Sequence, residues 1–531
     1  MKSAFAGTMP LVRHILRRDR IRLTAWIVGS ILFMVAFVPV LAEMFSTEVE
    51  MLSMLAMMEN PAMIAMVGPM HGLTFGSMYA AMMLVMTGIL VAVMNILLVT
   101  RHTRKDEEQG RLEVIRSLPI GRLANLNAVL VVAVMVNVII ALGIGFGMPL
   151  FDVESVTLSG AMLSGFAIGA CGLSFAAITA IFCQLSSNTR TASSFAFLTL
   201  SAAYMLRAVG DVSAEILSLT TPVGLLSFTK AFYHDHWWPV FVILAMTVFA
   251  TLIAFQLAKR RDLGQGIFAA KPGRAVAKKS LSTPFGLALR LTKTSIWVWA
   301  AVLFVLGAMY GAVMEEVELF IGGSEMMQEL VAAMGTGTLT ENFISMISFV
   351  MALAATVPVL MFMMRVRAEE KGGYTEQVLA RSVSRNSLFG AYFAIAFVGS
   401  VAFPIVSSMG MWVAMVGTMT YPPELGTHLS MTLNYLPAIW VMLGLAALLV
   451  GYLPRKAGLT YAYLFFSFFV IYIGGMVGFP NEVMMISPFG ALPSVPMEEF
   501  SLPIFLVLSV IGFTLMILGF VGHRKRDVLT G

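Results

Sequence analysis

A charged segment that occurs twice carries the side chains best suited to bind another protein. In the first copy, Glu107 and Arg111 stand at i and i+4 with the glutamate first, which is the favourable order for a helical ion pair. Leu112, Ile115 and Leu118 recur every third position, so one side of this helix is apolar. We call residues 103–122 the first charged segment. Its candidate docking residues are Arg104, Asp106, Glu107, Glu108, Gly110, Arg111 and Glu113.

The second charged segment, residues 369–385, also follows a long apolar run. Its candidate docking residues are Glu369, Glu370, Gly372 and Glu376. If Gly372 corresponds to Gly110, then Gly373 is an inserted residue, and the equivalence of the two copies is an open question. A solvated loop is the alternative for either copy alone, but the repetition favours docking. Two such segments indicate a protein that receives force at two points.

Residue patterns typical of bond-making chemistry are missing from the sequence. No G-x-x-x-x-G-K-[ST] phosphate loop occurs, so we do not expect the chain to bind ATP in that manner. We find no zinc-ligand spacing or nucleophile elbow, and we predict no metal, no cofactor and no catalytic residue. A polytopic lipid-modifying enzyme is an alternative, and its candidate residues would be Asp152, Glu154, Asp211, Glu215, His234, Asp235 and His236.

The main strong polar side chains in the apolar runs that flank the first charged segment are four asparagines, Asn95, Asn125, Asn127 and Asn137. Asn95 and Asn137 are weak candidates for a substrate path, and hydrogen bonding between helices is the alternative interpretation. No central carboxylate is evident, although an ion-coupled carrier would usually have one because buried charges mark ion pathways. An ion-coupled secondary carrier is a second alternative, and the missing carboxylate argues against it.

A methionine-rich stretch lies between the first two apolar runs. Thioethers can hold Cu(I), but an adaptable apolar surface is the interpretation that we favour. The methionines of this stretch are Met51, Met54, Met57, Met58, Met63, Met66 and Met70.

The composition requires a membrane to surround these residues. Of the 531 residues, 59% are hydrophobic and 12% are charged, whereas ordinary soluble proteins are about half apolar and about a quarter charged. Apolar runs of about 20 residues recur, each long enough to cross a bilayer core of ~30 Å. We predict an all-α polytopic membrane protein whose twelve spans lie near residues 21–42, 76–100, 123–149, 160–184, 192–211, 237–258, 294–314, 344–364, 387–407, 434–452, 459–477 and 501–522.

The basic residues predict the orientation of these spans. Arginines precede the first span, nine Lys and Arg fill residues 259–293, and residues 523–526 are basic. Residues 315–341 are acidic and contain no Lys or Arg. By the positive-inside rule, both termini lie in the cytoplasm of a multi-pass protein of the cell membrane. Topology and membrane lipid explain the net charge of +5, so no nucleic-acid partner is expected.

The chain reads as two parallel repeats joined by a basic linker. We predict a first six-span half at residues 1–258, a cytoplasmic linker at 259–282 and a second half at 283–531. Residues 16–26 resemble residues 289–299, and a Thr/Ser-Pro-x-Gly motif occurs at 221–224 and 487–490. In the first half, residues 10–22 mix apolar residues with arginines and predict a helix in the headgroup layer; arginines that only set topology are the alternative.

The first charged segment reads T-R-x-x-E-E-x-G-R-x-E, and Ser117, Pro119, Gly121 and Arg122 continue it as S-x-P-x-G-R. This pattern resembles the permease subunits of ABC-2-type (type V) exporters, in particular the fused twelve-span permeases grouped with polyketide-antibiotic and multidrug exporters of Gram-positive bacteria. The resemblance extends over essentially the whole chain. It implies an elbow helix with Arg13, Arg17, Arg18 and Arg20, a coupling helix after the second span of each half, and a re-entrant outer segment with Pro222, Gly224, Pro488 and Gly490.

The resemblance also implies partners and a function. The expected partners are two copies of a separate ABC ATPase subunit, which would hold ATP and Mg, together with membrane lipid and a hydrophobic small molecule. The expected function is export of a hydrophobic or amphipathic compound, such as a drug, an antibiotic or a lipid-like molecule. The chain itself would be a transport subunit and not an enzyme.

Overall fold

The computed structural model is helical throughout the part of the chain that it describes, and it has no strand there. The chain divides into two compact units, Met1–Gly273 and Arg274–Gly531, called unit 1 and unit 2 below. The structure describes residues 4–45, 51–52, 54–55, 58, 60–262, 264–267, 276–312, 314, 339–419, 422–474, 480–495 and 498–527.

Eleven helices among the described residues are long and apolar enough to cross a membrane. The remaining predicted span, 459–477, begins as an α-helix at Leu459–Phe468 and continues as a π-helix at Phe469–Ile473. Residues 475–477 lie outside the described part of the chain, as does most of the acidic stretch 315–341. The predicted all-α polytopic membrane fold is confirmed.

Unit 1 is built around one deeply buried helix, α7, which contacts α4, α6 and α11. Thr157 and Asn188 begin α7 and α8, and the side chain of each accepts a backbone N–H three residues later. The helices of unit 1 used below are α1 (Thr8–Val35), α2 (Phe37–Met44), α3 (Pro61–Met66), α4 (Phe75–Thr100), α5 (Arg111–Arg116), α6 (Ala124–Gly147), α7 (Leu158–Leu185), α8 (Thr189–Ser213), α9 (Glu215–Leu219), α10 (Gly224–Ser227) and α11 (Trp238–Arg260).

Unit 2 has its core around α13, which packs against α15 and α17, while α17 packs along α20. The side chain of Ser384 accepts the N–H of Ser387 and so begins α15. The helices of unit 2 used below are α12 (Pro284–Ala312), α13 (Leu339–Lys371), α14 (Tyr374–Leu379), α15 (Arg385–Thr418), α16 (Leu425–Leu433), α17 (Leu436–Tyr452), α18 (Leu459–Phe468), α19 (Asn481–Met484) and α20 (Leu502–Lys525).

The predicted headgroup helix and the first span form a single helix with a bend. Asp19 has φ −109° and ψ 16°, which lies outside the helical range and breaks α1 locally. Before the bend, Leu11 and Ile15 are buried, whereas Arg13 and Arg17 are exposed. This part of α1 is therefore amphipathic, as a helix at a membrane surface must be.

Candidate functional site

The first charged segment begins as a direct extension of α4. The chain continues from Thr100 through a π-helix at Arg101–Lys105 and a helical turn at Asp106–Glu108. Gly110 then adopts φ 69° and ψ 0°, a left-handed conformation that favours glycine, and α5 starts at the next residue. The span and the short helix α5 are thus joined by a fixed turn.

The carboxylate of Glu107 is buried and fully used within unit 1. Its two oxygens accept N–H groups from Arg261 at 2.9 and 2.8 Å, and they also accept from Arg104 at 2.9 Å and from the backbone of Gly264 at 2.6 Å. Glu107 is a candidate docking residue by sequence, and docking requires an exposed side chain, so that role for Glu107 is wrong. Two-pronged pairing with arginine is among the strongest polar contacts in proteins. It ties the segment to the end of α11, so the first residues of the predicted linker 259–282 pack on unit 1.

The predicted Glu107–Arg111 pair is also wrong. Gly110 breaks the helix between them, and Arg111 instead lies 3.0 Å from Asp106. Asp106 is buried and accepts two further bonds from Arg18, at 2.7 and 2.8 Å. Glu108 is exposed, and its carboxylate accepts the backbone N–H and the hydroxyl of Thr189 at the start of α8. A carboxylate at this place is favoured by the positive end of the helix dipole.

A second buried ionic contact, which the sequence did not reveal, joins α1 to the first charged segment. The carboxylate of Asp19, at the bend of α1, lies 2.7 Å from Nε2 of His102 and 2.9 Å from Nε of Arg101. Asp19 and His102 are separated by 83 residues in the sequence, and both are nearly inaccessible to solvent. Of the predicted elbow arginines, Arg18 contacts the segment through Asp106, whereas Arg13, Arg17 and Arg20 are exposed.

The second charged segment has the same backbone in a different register from the one predicted. Gly373 has φ 72° and ψ 4°, and α14 starts at the next residue, as α5 does after Gly110. Gly372 has no left-handed conformation and stands where Gln109 stands in unit 1. The two segments therefore correspond at a constant offset of 263 residues (110 to 373, 113 to 376, 122 to 385). Gly373 is not an insertion.

In this register, Glu370 corresponds to Glu107 and makes the corresponding contact. Glu370 is completely buried, and both of its oxygens accept from Arg526 just beyond α20, at 2.8 and 2.7 Å. In each unit a second arginine donates to the carbonyl oxygen of the first: Arg122 to that of Arg261 at 2.6 Å, and Arg385 to that of Arg526 at 2.7 Å. We call Glu107–Arg261 and Glu370–Arg526 the anchoring pairs.

The short helices α5 and α14 present matching faces. Each has six residues, with its second residue buried (Leu112 and Thr375) and its third exposed (Glu113 and Glu376). Beside these glutamates, α5 exposes 71% of Val114, which is apolar, and α14 exposes Gln377 and 58% of Tyr374. The second segment also contains a local pair, in which Glu369 accepts from Arg365 at 2.6 Å. The surfaces open to another molecule are therefore the exposed faces of α5 and α14, not the buried glutamates.

The two Pro-x-Gly motifs form tight turns that carry side chains into each unit. A Cβ on Gly224 would overlap the carbonyl oxygen of Ser218, and a Cβ on Gly490 would overlap that of Met484. These positions, each two residues after Pro222 or Pro488, therefore require glycine. In unit 1 the turn leads into α10, where Leu226 packs on Gly88 in the middle of α4. In unit 2, Phe489 is buried against Phe349 and Tyr435.

Asn95 and Asn137 are in direct contact between α4 and α6. Each side-chain amide donates to the oxygen of the other, at 3.1 and 2.9 Å, and each donates its second N–H to a carbonyl of its own helix. Both residues are buried. The geometry fits hydrogen bonding between helices, which was the alternative interpretation of these residues.

Two of the residues proposed for an enzyme, Asp211 and Asp235, are engaged in local contacts. Asp211 is buried beside Arg207, at 3.2 Å, and accepts from Ser218 at 2.6 Å. Asp235 instead accepts the backbone N–H of Phe232 in a local turn. Within the described ranges, no group of three His, Cys, Asp or Glu residues could hold a metal ion. In the methionine-rich stretch, Met54, Met58 and Met63 are buried, while Met57 lies outside the described residues.

Comparison with known proteins identifies the family. A family model described as "Multidrug efflux system permease Rv1217c, C-terminal domain" matches residues 13–258 and 281–524. The chain is 32% identical over 543 residues to the multidrug efflux system permease protein Rv1217c of Mycobacterium tuberculosis, across 99% of this chain and 96% of that protein. The chain belongs to this multidrug efflux permease family. The permease is thus a multi-pass transport subunit, and each matched stretch lies within one of its units.

Proposed function

We propose that this permease is the membrane subunit of an ABC-2-type exporter in the cell membrane, with both termini in the cytoplasm. Two copies of a separate ATPase subunit, which hold ATP and Mg, would bind the exposed faces of α5 and α14. The observation that carries the proposal is the duplicated arrangement of a left-handed glycine, a six-residue helix and an anchoring pair.

The anchoring pairs give each short helix two rigid connections to the membrane bundle. In unit 1, α5 follows α4 through the fixed turn at Gly110, and Glu107 binds Arg261 at the end of α11. In unit 2, α14 follows α13, and Glu370 binds Arg526 at the end of α20. A force applied to either short helix would therefore act on two spans at once. Movement of both units would expel the transported compound.

The transported compound is proposed to be hydrophobic or amphipathic, such as a drug, an antibiotic or a lipid-like molecule. The printed name of the relative describes it as a multidrug efflux permease, and that description supports this class of substrate. The rival functions have less support. The Asp211 carboxylate that an enzyme could use and the Asn95–Asn137 pair that a carrier could use are both engaged in internal contacts.

The test is charge reversal on the two exposed faces. The permease is purified with its ATPase subunit and placed in liposomes, and ATP hydrolysis and ATP-dependent movement of the amphipathic dye ethidium are measured. Glu113→Lys and Glu376→Lys are each expected to weaken ATPase assembly and to reduce both activities. Glu154→Lys is the matched control, because Glu154 is an exposed carboxylate at the far end of α6. Normal assembly and transport in both face variants would contradict the proposal.

A further inference from the structure

A cleft in unit 1 lies on the inward side of α5, between that helix and the ends of α6 and α11. It is a shallow cleft, open to solvent, and about 30 Å³ of it can hold water-sized groups. Apolar side chains from three helices, Leu112, Leu126 and Ala258, line part of it. Arg116, Arg122 and Arg261 line much of the rest, and we call it the arginine cleft; its other lining residues are Thr103, Glu107, Asn125 and Gln184. The carboxylate of Glu107 is already paired with Arg104 and Arg261.

Arg116 is the unusual member of this cleft. It lies one helical turn after the buried Leu112, away from the exposed Glu113 and Val114, and it is half-buried. Among the residues that the structure describes, its guanidinium has no hydrogen bond and no ion pair. Burial lowers the pKa of the Arg116 guanidinium; Glu107 opposes this shift, and nearby Arg122 and Arg261 add to it. The N–H groups of Arg116 are not among the buried, unpaired polar atoms, so solvent and a dissolved anion can reach them.

The other charges of the cleft do not satisfy Arg116. Arg261 uses its N–H groups on Glu107 and on the carbonyl oxygen of Gln265. Arg122 donates one N–H to the carbonyl oxygen of Arg261, and it lies 3.9 Å from the exposed carboxylate of Asp262. Arg116 and Arg122 therefore both offer free N–H donors to the same space. Two guanidinium groups so placed suit a phosphate group, which accepts two parallel hydrogen bonds from an arginine.

Unit 2 fills the corresponding space with larger and more apolar side chains. At the offset of 263, Leu379 stands for Arg116 and Phe389 for Leu126. His523, three residues before Arg526, stands for Ala258, three residues before Arg261, and its ring stacks on Phe389 at 4.6 Å. The arginine cleft therefore depends on residues particular to unit 1. Arg122 and Arg261 have counterparts in Arg385 and Arg526, so unit 1 differs by Arg116 and by the open space beside it. This difference points to a ligand bound in unit 1.

We propose that the arginine cleft binds the phosphate of an anionic phospholipid headgroup. The apolar lining and the position at the ends of α6 and α11 favour a lipid over a soluble phosphate, because headgroups lie where spans leave the hydrocarbon. Assignment of the lipid to the inner leaflet rests on the orientation proposed above, whereas binding itself does not. The lipid would sit on one side of α5 and the proposed ATPase on the other.

The experiment measures lipid retention by native mass spectrometry. Purified permease in detergent is mixed with phosphatidylglycerol or with phosphatidylcholine. In a parallel experiment, its unfolding temperature is measured in potassium phosphate and in potassium chloride at equal ionic strength. Phosphatidylglycerol is expected to bind best. Arg116→Gln is expected to reduce its retention about tenfold, the effect of losing a hydrogen bond to a charged group. Arg381→Gln is the matched control, because Arg381 is exposed just after α14, and it should leave retention unchanged.

A second variant tests the space without removing charge. Ala258→His introduces into the arginine cleft an imidazole ring like that of His523 in unit 2. The ring would occupy the cleft, so phosphatidylglycerol retention should fall although all three arginines are present. This variant keeps the test decisive if Arg116→Gln fails to fold. Potassium phosphate could raise the unfolding temperature of the native protein but not of the variants, while phosphatidylglycerol and phosphatidylcholine bind equally. That result would show that the cleft binds a phosphate group from solution and not from a lipid.

Two results would overturn the proposal. The first is equal phosphatidylglycerol retention, and equal response to phosphate, in the native protein, Arg116→Gln and Ala258→His. The second is a loss of ATPase assembly in Arg116→Gln with lipid and phosphate binding unchanged, which would make Arg116 part of a protein interface. Failure of the proposed ATPase docking would appear separately, as normal assembly in Glu113→Lys, and it would not affect the lipid result.

Discussion

The two charged segments share one backbone but differ in what surrounds it. In both units a buried glutamate, three residues before a left-handed glycine, binds the arginine just beyond the last helix. In unit 1 that glutamate also binds Arg104 and the backbone of Gly264. Among the described residues, Glu370 has only His523, at 3.7 Å, beside Arg526. The duplicated feature is therefore the connection to the last helix. The polar contacts around that connection are more numerous in unit 1.

The difference extends to the first helix of each unit. In unit 1, Arg18 and Asp19 of α1 bind the charged segment. In unit 2 the corresponding residues, at an offset of 273, are Leu291 and Thr292, and the hydroxyl of Thr292 donates to Ala288 within its own helix. Unit 1 thus fixes its segment to both its first and its last helix. If both short helices are pushed, unit 1 would move as the more rigid body.

Loss of the glutamate charge in the anchoring pairs is expected to have the largest effect. Glu107→Gln leaves two arginines without a carboxylate, and removal of one partner of a buried ion pair costs about 3–5 kcal/mol. Glu370→Gln leaves one arginine and not two, so a smaller loss, near the lower end of that range, is expected. The measurement is the midpoint of thermal unfolding in detergent, with Glu108→Gln as the exposed control.

A double exchange tests the anchoring pair of unit 2 directly. Glu370→Arg combined with Arg526→Glu restores an ion pair and should recover part of the stability lost in either single variant. If the double variant is as unstable as the sum of the two single changes, the contact does not hold α14 to α20. An equal loss in Glu107→Gln and Glu370→Gln would contradict the greater rigidity of unit 1.

Removal of the carboxylate at the bend of α1 should have the next largest effect. Asp19→Asn weakens the contacts with His102 and Arg101, and a hydrogen bond to a charged group is worth about 2 kcal/mol. Thr292→Val, the matched change in unit 2, removes one hydrogen bond within a helix and should cost less than half of that. Comparable shifts in the unfolding midpoint for both variants would remove the distinction between the two first helices.

The left-handed glycines should give a smaller and equal effect. Nothing lies within 4 Å of a Cβ built on Gly110 or Gly373, so an alanine there meets only backbone strain, of about 1 kcal/mol. Gly110→Ala and Gly373→Ala should therefore lower the unfolding midpoint alike. Gly372→Ala is not a matched change, because a Cβ there would overlap the ring of Tyr374. A clear difference between Gly110→Ala and Gly373→Ala would contradict the shared register.

The exposed ion pair should have the smallest effect. Arg111→Ala breaks the contact with Asp106, but half of the Arg111 side chain is exposed and Asp106 keeps Arg18. Exposed pairs contribute about 0–1 kcal/mol, so little change in the unfolding midpoint is expected. A loss as large as that of Asp19→Asn would show that Arg111 supports the segment more than its exposure suggests.

The fold was predictable from sequence because long apolar runs leave few alternatives to membrane helices. Details of the site were not. The pairing of Glu107 with Arg111 was predicted from helical spacing, but Gly110 ends the helix between them. The alignment of the second segment with the first depends on which of Gly372 and Gly373 has the left-handed conformation. The sequence alone does not show which of two adjacent glycines has it.

Contacts between distant residues account for the rest of what the sequence missed. Glu107 and Arg261 are separated by 154 residues, and Arg261 was counted among the charges of a linker. Asp19 lies among arginines that the positive-inside rule already explains, so its own role was not apparent. Without a structure or a set of related sequences, no local pattern joins either residue to its partner.

The anchoring pairs also bear on how the permease can be divided. Separate expression of its two halves would require a division after residue 267. A division at residue 258 removes Arg261 and Gly264 and leaves the buried charge of Glu107 without these two partners. At the other end of the chain, a truncation before Arg526 would strand Glu370 in the same way. The last few residues of each half, which look dispensable by position, are part of its folded unit.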